Sequence, residues 1–277
     1  MNTPSRPRAT KIICTIGPAT DTSDMLGQLI EAGANVFRLN MSHSKHDWVR
    51  EVVFRIRRKA AELEANVAIL FDLQGPSIRT GDLAEPYHLK KGDTVEIRLG
   101  TAKPELPFST TVNYDGLLQD VQAGHTMVVD NGGILMRIAE VRPDRLICDV
   151  LTEGVFGSRR HINLPGVALR LPALTEKDLA DLAVAVECET DYVAMSFVRD
   201  AAHIAQLREH IDNLGGKAQI VAKIEDQQAV RHIDDIILAA DVIMVARGDL
   251  GIEVSIEELP IIQRRIVRHC HRLGPVS

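Results

Sequence analysis

The chain has 277 residues, of which 45% are apolar and 25% are charged, a composition typical of a soluble globular protein with one large or two medium domains. Its net charge of −6 provides no general electrostatic attraction for nucleic acid or for an anionic membrane. No apolar run approaches the ~20 residues that a membrane-spanning helix needs, so neither nucleic acid nor membrane is an expected partner.

The cysteines and the N-terminus favour a reduced, cytoplasmic compartment. The four cysteines are scattered without C-x-x-C spacing, and packing roles are favoured over catalysis for Cys14 and Cys188. Residues 1–10 lack the apolar segment of a signal peptide. We therefore expect the protein in the cytoplasm.

Residues 1–80 predict strands that alternate with helices. The predicted strands cover 11–17, 35–42 and 67–73, and the predicted helices cover 23–32 and 46–64. In the second strand Arg38, Asn40 and Ser42 share one face, while the apolar residues between them share the other. A polar face does not suit a dry core and favours the mouth of a site. A polar strand end with only local hydrogen bonds is the alternative.

Between residues 81 and 169 the pattern changes to short strands and frequent turns, without a long helix. The turn Asp-Asn-Gly-Gly at 130–133 lies between two apolar runs and predicts a β-hairpin. We expect a small all-β insertion, 81–169, that is joined at both ends to the α/β body and acts as a lid. The basic stretch 158–161 is either an exposed turn or a site for polyphosphate.

From residue 170 to 277 strands and helices alternate again. Thr175 begins a helix with capping-box spacing, and Asp200 is expected to cap the next helix. The predicted strands cover 191–198, 219–225 and 241–247, and one helix is predicted over 226–240. A last helix follows residues 255–258, and Pro260 indicates that it begins later than its first capping signal.

Two consecutive strands near residues 219–253 end in charged side chains. Lys223 and Glu225 are two residues apart and therefore share a face, and we expect the same of Arg247 and Asp249 after the next strand. Glu225 and Asp249 together could hold a hard cation such as Mg²⁺, with Lys223 as a positive charge beside it. A solvated strand face followed by an ordinary turn is the alternative.

Six strand–helix units are predicted, and their charged strand ends meet at one rim. This arrangement predicts an α/β fold of the TIM (β/α)₈-barrel type that is incomplete, with six of eight units. The expected domains are a first part of the barrel at 1–80, the inserted β-rich domain at 81–169, and a second part of the barrel at 170–277.

Several motifs along the whole chain resemble those of the pyruvate kinase family. The segment MVARGDLGIE, residues 244–253, is highly specific to that family. The other matching segments are 11–17, 36–43, 72–81, 163–166, 174–178 and 222–225. The resemblance implies transfer of a phosphoryl group from phosphoenolpyruvate to ADP, as in the last step of glycolysis, followed by protonation of the enolate to pyruvate.

The resemblance also implies roles for single residues around the phosphoryl group. Glu225 and Asp249 match the Mg²⁺ ligands, and Lys223 matches the lysine that stabilises charge on the transferring phosphoryl group and on the enolate. Gly248 and Asp249 match the turn that binds the phosphoenolpyruvate carboxylate, and Arg38 matches the arginine of the substrate site. Phosphoryl transfer needs positioning and charge neutralisation, which these groups provide.

Further positions match the family's K⁺ and nucleotide sites. The residues that match K⁺ ligands are Asn40, Ser42, Asp72 and Leu73, the last through its carbonyl. The residues that match contacts to ADP or ATP are Asn40, His43, Arg79 and Arg160. The resemblance therefore implies Mg²⁺ as a cofactor, K⁺ as a possible second one, and a homo-oligomer in the complete form.

Two features depart from the family pattern. Ser77 stands where the family usually has Glu or Lys, a choice that accompanies the K⁺ requirement, so K⁺ dependence is left open. The chain also stops where a seventh strand is expected, and without residues 81–169 the body is shorter than the ~250 residues of a typical barrel. We therefore expect a C-terminally truncated chain without the family's proton-delivering threonine and regulatory domain.

Three functions are open at this point. The first is a pyruvate kinase, with little turnover expected from this chain alone. The second is a non-catalytic remnant that binds ligand or a full-length subunit. The third is another phosphoenolpyruvate or pyruvate barrel enzyme such as a lyase, against which Arg79 and Arg160 argue, because a lyase needs no ADP site.

Overall fold

The computed structural model describes residues 9–274 of the chain. Six parallel strands form one sheet, and a second, largely antiparallel sheet belongs to the segment between the third and fourth of them. Residues 1–8 and 275–277, on which the predictions about a signal peptide and a seventh strand rest, lie outside the described residues.

The first part of the chain has the predicted order of strands and helices. Its elements are β1 (Ile13–Ile16), α1 (Ser23–Ala32), β2 (Val36–Asn40), α2 (His46–Glu62) and β3 (Ala68–Asp72). The predicted strands are slightly too long, because the turns that follow them begin within the polar motifs. Gly33 ends α1 at a φ of 97°, where its N–H donates to the carbonyl of Ile30.

The middle segment is built from short strands around its own apolar core. Its elements are β4 (Tyr87–Leu89), β5 (Thr94–Arg98), β6 (Ser109–Thr111), α3 (Leu117–Asp120), β7 (Thr126–Val129), β8 (Ile134–Val141), β9 (Arg145–Val150), β10 (Gly154–Phe156) and β11 (Ile162–Asn163). Antiparallel pairing of β7 with β8 confirms the hairpin predicted at 130–133. The four-residue α3 is the only helix in the described part of this segment.

The last part returns to strands followed by helices. Its elements are α4 (Glu176–Glu187), β12 (Tyr192–Met195), α5 (Ala201–Asn213), β13 (Gln219–Ile224), α6 (Gln227–Arg231), α7 (Ile233–Ala239), β14 (Val242–Val245), α8 (Arg247–Glu253) and α9 (Leu259–Leu273). Thr175 forms the predicted capping box with Asp178, and Asp200 caps α5. Pro260 lies in the first turn of α9, which begins after residue 258 as expected.

Two predictions in this part are wrong. The helix predicted over 226–240 is two helices, separated at His232. The strand predicted over 241–247 ends at Val245, so Arg247 and Asp249 do not share a strand face. The reason is that helical hydrogen bonding begins at Ala246, whose carbonyl accepts from Leu250 N at 2.9 Å, and side chains in a helix recur every 3.6 residues rather than alternating.

The parallel sheet determines where a site can form. Its order is β1-β2-β3-β12-β13-β14, which is also the chain order, so the carboxyl ends of all six strands lie at the same edge. This confirms the predicted α/β fold and is consistent with part of a (β/α)₈ barrel, with β1 and β14 as its outer strands. Within residues 9–274, no helix combines the length and apolarity needed to cross a membrane.

Candidate active site

A cleft of about 370 Å³ opens at the carboxyl ends of the parallel strands. Of the site residues predicted from the sequence, those in its wall are Arg38, Asn40, Ser42, His43, Asp72, Leu73, Arg79, Arg160, Lys223, Glu225 and Asp249. The structure thus brings together residues from the barrel strands and from the end of the middle segment. The roles that we assign to them stay predictions.

Lys223 lies at the floor of this cleft, and its ammonium group is surrounded by polar oxygens. The Nζ atom lies 2.9 Å from Glu225 Oε1 and 3.2 Å from Asp72 Oδ1, and it donates to Ser196 Oγ at 2.7 Å. The side chain is 11% exposed. Lys223 and Glu225 therefore share a face, as their spacing predicts, and the amine points into the cleft rather than into the helical shell.

Arg38 and Asp72 form the neighbouring ion pair. Arg38 Nε donates to Asp72 Oδ2 at 2.7 Å, and Arg38 Nη1 donates to Thr15 Oγ1 at 2.9 Å. Asp72 Oδ1 is buried and, among the residues that the structure describes, receives no hydrogen bond of normal geometry, although it lies within ion-pair distance of Lys223. Asp72 thus lies between two protein cations and keeps an oxygen with unused capacity as an acceptor.

The backbone around Ser196 and Phe197 contributes to the site and was missed by sequence analysis. Ser196 Oγ donates to the Leu73 carbonyl at 2.8 Å. Phe197 has a φ of 55°, a strained conformation for a residue with a side chain, and its N–H donates to Glu225 Oε2 at 2.6 Å. A polar Ser directly after the apolar run 192–195 was the available signal.

Burial and neighbouring charges shift the pKa values of Glu225 and Lys223. Burial raises the pKa of Glu225, and the Asp249 charge raises it further, while Lys223 opposes the rise. Burial acts to lower the pKa of Lys223, but Glu225 and Asp72 outweigh it, so that pKa is raised. The ammonium is therefore held in its charged form, and a cation bound between Glu225 and Asp249 would relieve the repulsion between these two side chains.

These observations fit a divalent cation held by Glu225 and Asp249. Within residues 9–274, no three His, Cys, Asp or Glu side chains form a ready metal-binding group. A pair of carboxylates that leaves positions for substrate and water is the donor set that Mg²⁺ commonly uses. Asp249 lies in the first turn of α8, and a Cβ at its neighbour Gly248 would meet no atom within 4 Å, so the backbone there is open to a ligand.

Two arginines border the cleft on the side of the middle segment. Arg79 Nε donates to Ser77 Oγ at 3.2 Å, and Arg79 Nη1 donates to the Arg159 carbonyl at 3.2 Å. Arg160 Nη1 lies 3.2 Å from Asp130 Oδ1, while Arg160 Nε is buried without a hydrogen-bond partner in the part of the chain that the structure describes. A buried donor of this kind calls for an acceptor, and a phosphate oxygen provides one.

The K⁺ ligands implied by the resemblance all lie in this cleft, and some of their oxygens already accept hydrogen bonds from the protein. Asn40 Oδ1 accepts from Ser42 N at 3.1 Å, and the Leu73 carbonyl accepts from Ser196. Ser77, the residue that departs from the family pattern, accepts from Arg79 and, at 3.4 Å, from Gln74. The donor atoms are oxygens, which suits a monovalent cation, and the K⁺ requirement stays open.

Comparison with known proteins agrees with this geometry. The model of the family "Pyruvate kinase, barrel domain" matches residues 7–276. The chain is 39% identical over 274 residues to plastidial pyruvate kinase 2 of Arabidopsis thaliana, covering 98% of this chain and 47% of the relative. It is 38% identical over 269 residues to pyruvate kinase of Clostridium perfringens, covering 96% and 57%, and 36% identical over 270 residues to pyruvate kinase of Staphylococcus aureus, covering 96% and 46%.

The chain thus spans about half the length of the curated relatives that it matches. The family model, in contrast, covers nearly all of the chain, including both the parallel strands and the middle segment. The chain belongs to the pyruvate kinase family.

Proposed function

We propose that this cleft carries out the pyruvate kinase reaction, in which the phosphoryl group of phosphoenolpyruvate is transferred to ADP. The observation that supports this most is the buried Lys223 ammonium, held between Glu225 and Asp72 in a cleft that also contains Arg38 and Arg79. Such a concentration of fixed positive charge suits a reaction whose transition state spreads negative charge over phosphoryl oxygens.

In this proposal the protein side chains bind and orient the phosphoryl group of phosphoenolpyruvate. Lys223 faces the phosphoryl group during transfer and then the enolate oxygen, and its raised pKa keeps it charged for both. Arg38, fixed by Asp72 and Thr15, orients the substrate phosphate. The amides at Gly248 and Asp249 bind the substrate carboxylate. Protonation of the enolate then gives pyruvate.

The proposed cofactor is Mg²⁺, held by Glu225 and Asp249, and it supplies further positive charge to the phosphoryl oxygens. K⁺ is a possible second cofactor, for which the ligands are Asn40, Ser42, Asp72 and the Leu73 carbonyl. The proposed nucleotide contacts are Asn40, His43, Arg79 and Arg160. The middle segment, 81–169, is proposed to be a lid whose closure keeps water from competing with ADP as the acceptor.

The experiment is a paired assay of turnover and binding with the purified chain. We expect a rise in melting temperature with Mg²⁺ and phosphoenolpyruvate. We also expect a slow, Mg²⁺-dependent formation of pyruvate from phosphoenolpyruvate and ADP, because little turnover is predicted for this chain alone. The Lys223→Met variant should lose turnover by roughly 10²-fold or more while substrate affinity falls much less. The exposed Lys91→Met serves as the matched control.

The outcomes separate the competing functions. Stabilisation by ligand without any turnover would favour the non-catalytic ligand-binding protein. Absence of both would contradict the proposal. Equal loss of turnover and affinity in Lys223→Met would contradict the role of Lys223. A cytoplasmic location and homo-oligomerisation stay predictions; the Arabidopsis relative carries the name plastidial.

A further inference from the structure

His161 lies in the wall of the cleft, yet its side chain has no role in the site described so far. It lines the same cleft as Lys223 and Asp249. Its backbone is fixed on two sides: it forms an antiparallel bridge with Arg79, and its carbonyl accepts from Asp130 N at 3.0 Å. The position of the imidazole is therefore determined by the same short stretch that carries Arg160.

The ring of His161 packs against one neighbour but leaves its nitrogens unused. The ring centroid lies 5.9 Å from that of Phe197, with the planes inclined at 51°. Within residues 9–274, neither ring nitrogen makes a hydrogen bond to the protein. A partly buried imidazole of this kind keeps one donor and one acceptor available to a ligand in the cleft.

The charged neighbours of His161 are Arg79 and Asp249. Burial lowers the pKa of His161, the nearby Arg79 charge lowers it further, and Asp249 opposes this. In either protonation state the ring carries at least one N–H that can donate to an acceptor. It lies under the influence of a guanidinium that is expected to contact nucleotide phosphate and of a carboxylate that is expected to bind Mg²⁺.

We propose that the His161 ring donates a hydrogen bond to a phosphate oxygen of the bound nucleoside diphosphate, in the space between Arg79 and Asp249. A phosphate held by Arg79 and by a cation on Asp249 would lie beside the ring. The neighbouring Arg160 lines the same cleft and comes from the same stretch, so two consecutive residues with N–H donors border the space proposed for one anion. This inference rests on the proposed function and deepens it on the nucleotide side.

The competing explanation is that His161 only packs against Phe197, and three substitutions separate the two. His161→Phe keeps an aromatic ring and removes both nitrogens. His161→Asn and His161→Gln place an amide N–H near the position of one or the other ring nitrogen. The exposed His88→Gln, in β4, is the control for removal of an imidazole elsewhere in the middle segment.

The measurement is the dissociation constant of MgADP by calorimetry, with that of phosphoenolpyruvate as an internal comparison and the melting temperature as a check of folding. We expect His161→Phe to weaken MgADP by about tenfold or more, the usual scale for a hydrogen bond to a charged group. Phosphoenolpyruvate affinity should stay within about twofold. Either the Asn or the Gln variant should recover most of the loss.

Three results would overturn the proposal. Unchanged MgADP affinity in His161→Phe would show that only packing matters, and the proposed function would stand. Loss of MgADP affinity in all three variants would exclude the hydrogen bond as the cause. A wild-type chain that binds neither MgADP nor phosphoenolpyruvate would overturn the proposed function, and this inference with it.

Discussion

Burial and neighbouring charges shift the pKa values of side chains in and near the cleft. Glu253, at the end of α8, is an example that lies away from the floor of the cleft. Burial, together with the Asp226 charge, raises the pKa of Glu253 to about 7, while Gly166 N and Asn163 act in the opposite direction. The folded chain therefore retains a proton on this carboxyl at pH values where the unfolded chain has released it.

This raised pKa predicts how the stability of the protein depends on pH. Between the ordinary carboxyl value of about 4.5 and about 7, the folded state binds more protons, so the free energy of unfolding falls as pH rises. Glu253→Gln removes this titration, so the variant should melt higher than wild type at pH 8 and show a smaller difference at pH 5. Melting temperatures of both proteins at the two pH values provide the test.

The exposed Glu257→Gln is the control for this prediction, since the Glu257 side chain faces solvent. It should change the melting temperature little at either pH. A Glu253→Gln variant whose difference from wild type is the same at pH 5 and pH 8 would contradict the assignment of the raised pKa to Glu253.

At the scale of residues, the sequence predicted contacts between side chains that lie close together along the chain. Lys223 and Glu225 are two apart on one strand, so their contact follows from strand geometry alone. Ser196, His161 and Asp178 could not be found in this way, because each contacts a segment far away in the chain. Ser196 reaches Leu73, and Asp178 reaches Gly75, only once the strands are placed side by side.

Among the elements, α4 connects two of the loops that form the cleft. Asp178, which is fully buried, accepts from Gly75 N at 3.0 Å and from Thr175 N at 2.9 Å. Lys177 Nζ donates to the Met41 carbonyl at 2.7 Å and pairs with Asp181. The first turn of α4 thus fixes both the loop after β2 and the loop after β3, which carry predicted cation and nucleotide contacts.

Loss of the Asp178 carboxylate should therefore affect both stability and binding. Asp178→Ala removes the side-chain acceptor of the capping box and leaves Gly75 N buried without its acceptor, at an expected cost of about 2–4 kcal/mol. Gly75 has a φ of 69°, and a Cβ there would come within 3.0 Å of the Ser196 side chain, so the loop has little freedom to adjust. Urea unfolding and phosphoenolpyruvate titration of the variant measure the two effects.

Thr22→Ala is the matched control, because Thr22 caps α1 by accepting from Met25 N and contacts no loop of the cleft through that bond. Its expected cost is only about 1 kcal/mol, with unchanged ligand affinity. If Asp178→Ala were destabilised but bound phosphoenolpyruvate as tightly as wild type, α4 would have only a stabilising role and not the positioning role assigned to it.

Element type was predictable where periodicity extends over several turns, as in α1, α2 and α5. It was not predictable at His232, where one continuous apolar stripe is divided between α6 and α7. It was also wrong at α8, because a seven-residue helix after a short strand has too few turns to show a period. This second error concerned Asp249, a proposed Mg²⁺ ligand, which the sequence predicted on a strand end and the structure places on a helix.

Within residues 9–274, the buried apolar side chains form a core between the parallel sheet and its helices, a small cluster on the other face of that sheet, and a separate core within the middle segment. The connections between the parallel sheet and the middle segment pass through residues near 80–83 and 157–161. There, Arg159 pairs with Asp82 at 2.7 Å, and Leu83 N donates to Ser158 Oγ at 2.9 Å. Both partners of the ion pair are largely exposed, so this contact contributes little stability.

We expect the middle segment to move toward the parallel sheet when MgADP and phosphoenolpyruvate bind together, because Arg79 and Arg160 lie on the two paired segments of the connection and both line the cleft. Spin labels on cysteines introduced at the exposed Glu153 and Glu31 would report the distance between the two cores. Burial raises the pKa of Cys148 to about 12 and raises the pKa of Cys188 and Cys270, so these thiols should label slowly. Cys14→Ser removes the remaining one.

The expected result is a shortening of the Glu153–Glu31 label distance by more than about 2 Å when both ligands are present, since closures of this kind exceed that scale. A second pair at Glu31 and Glu209, both exposed and both on barrel helices, should keep its distance and so exclude a general change of shape. Bound ligand with no change in the first distance would exclude a moving lid. The middle segment would then form a fixed wall of the cleft, and water would have to be excluded from the phosphoryl group by the side chains already in contact with it.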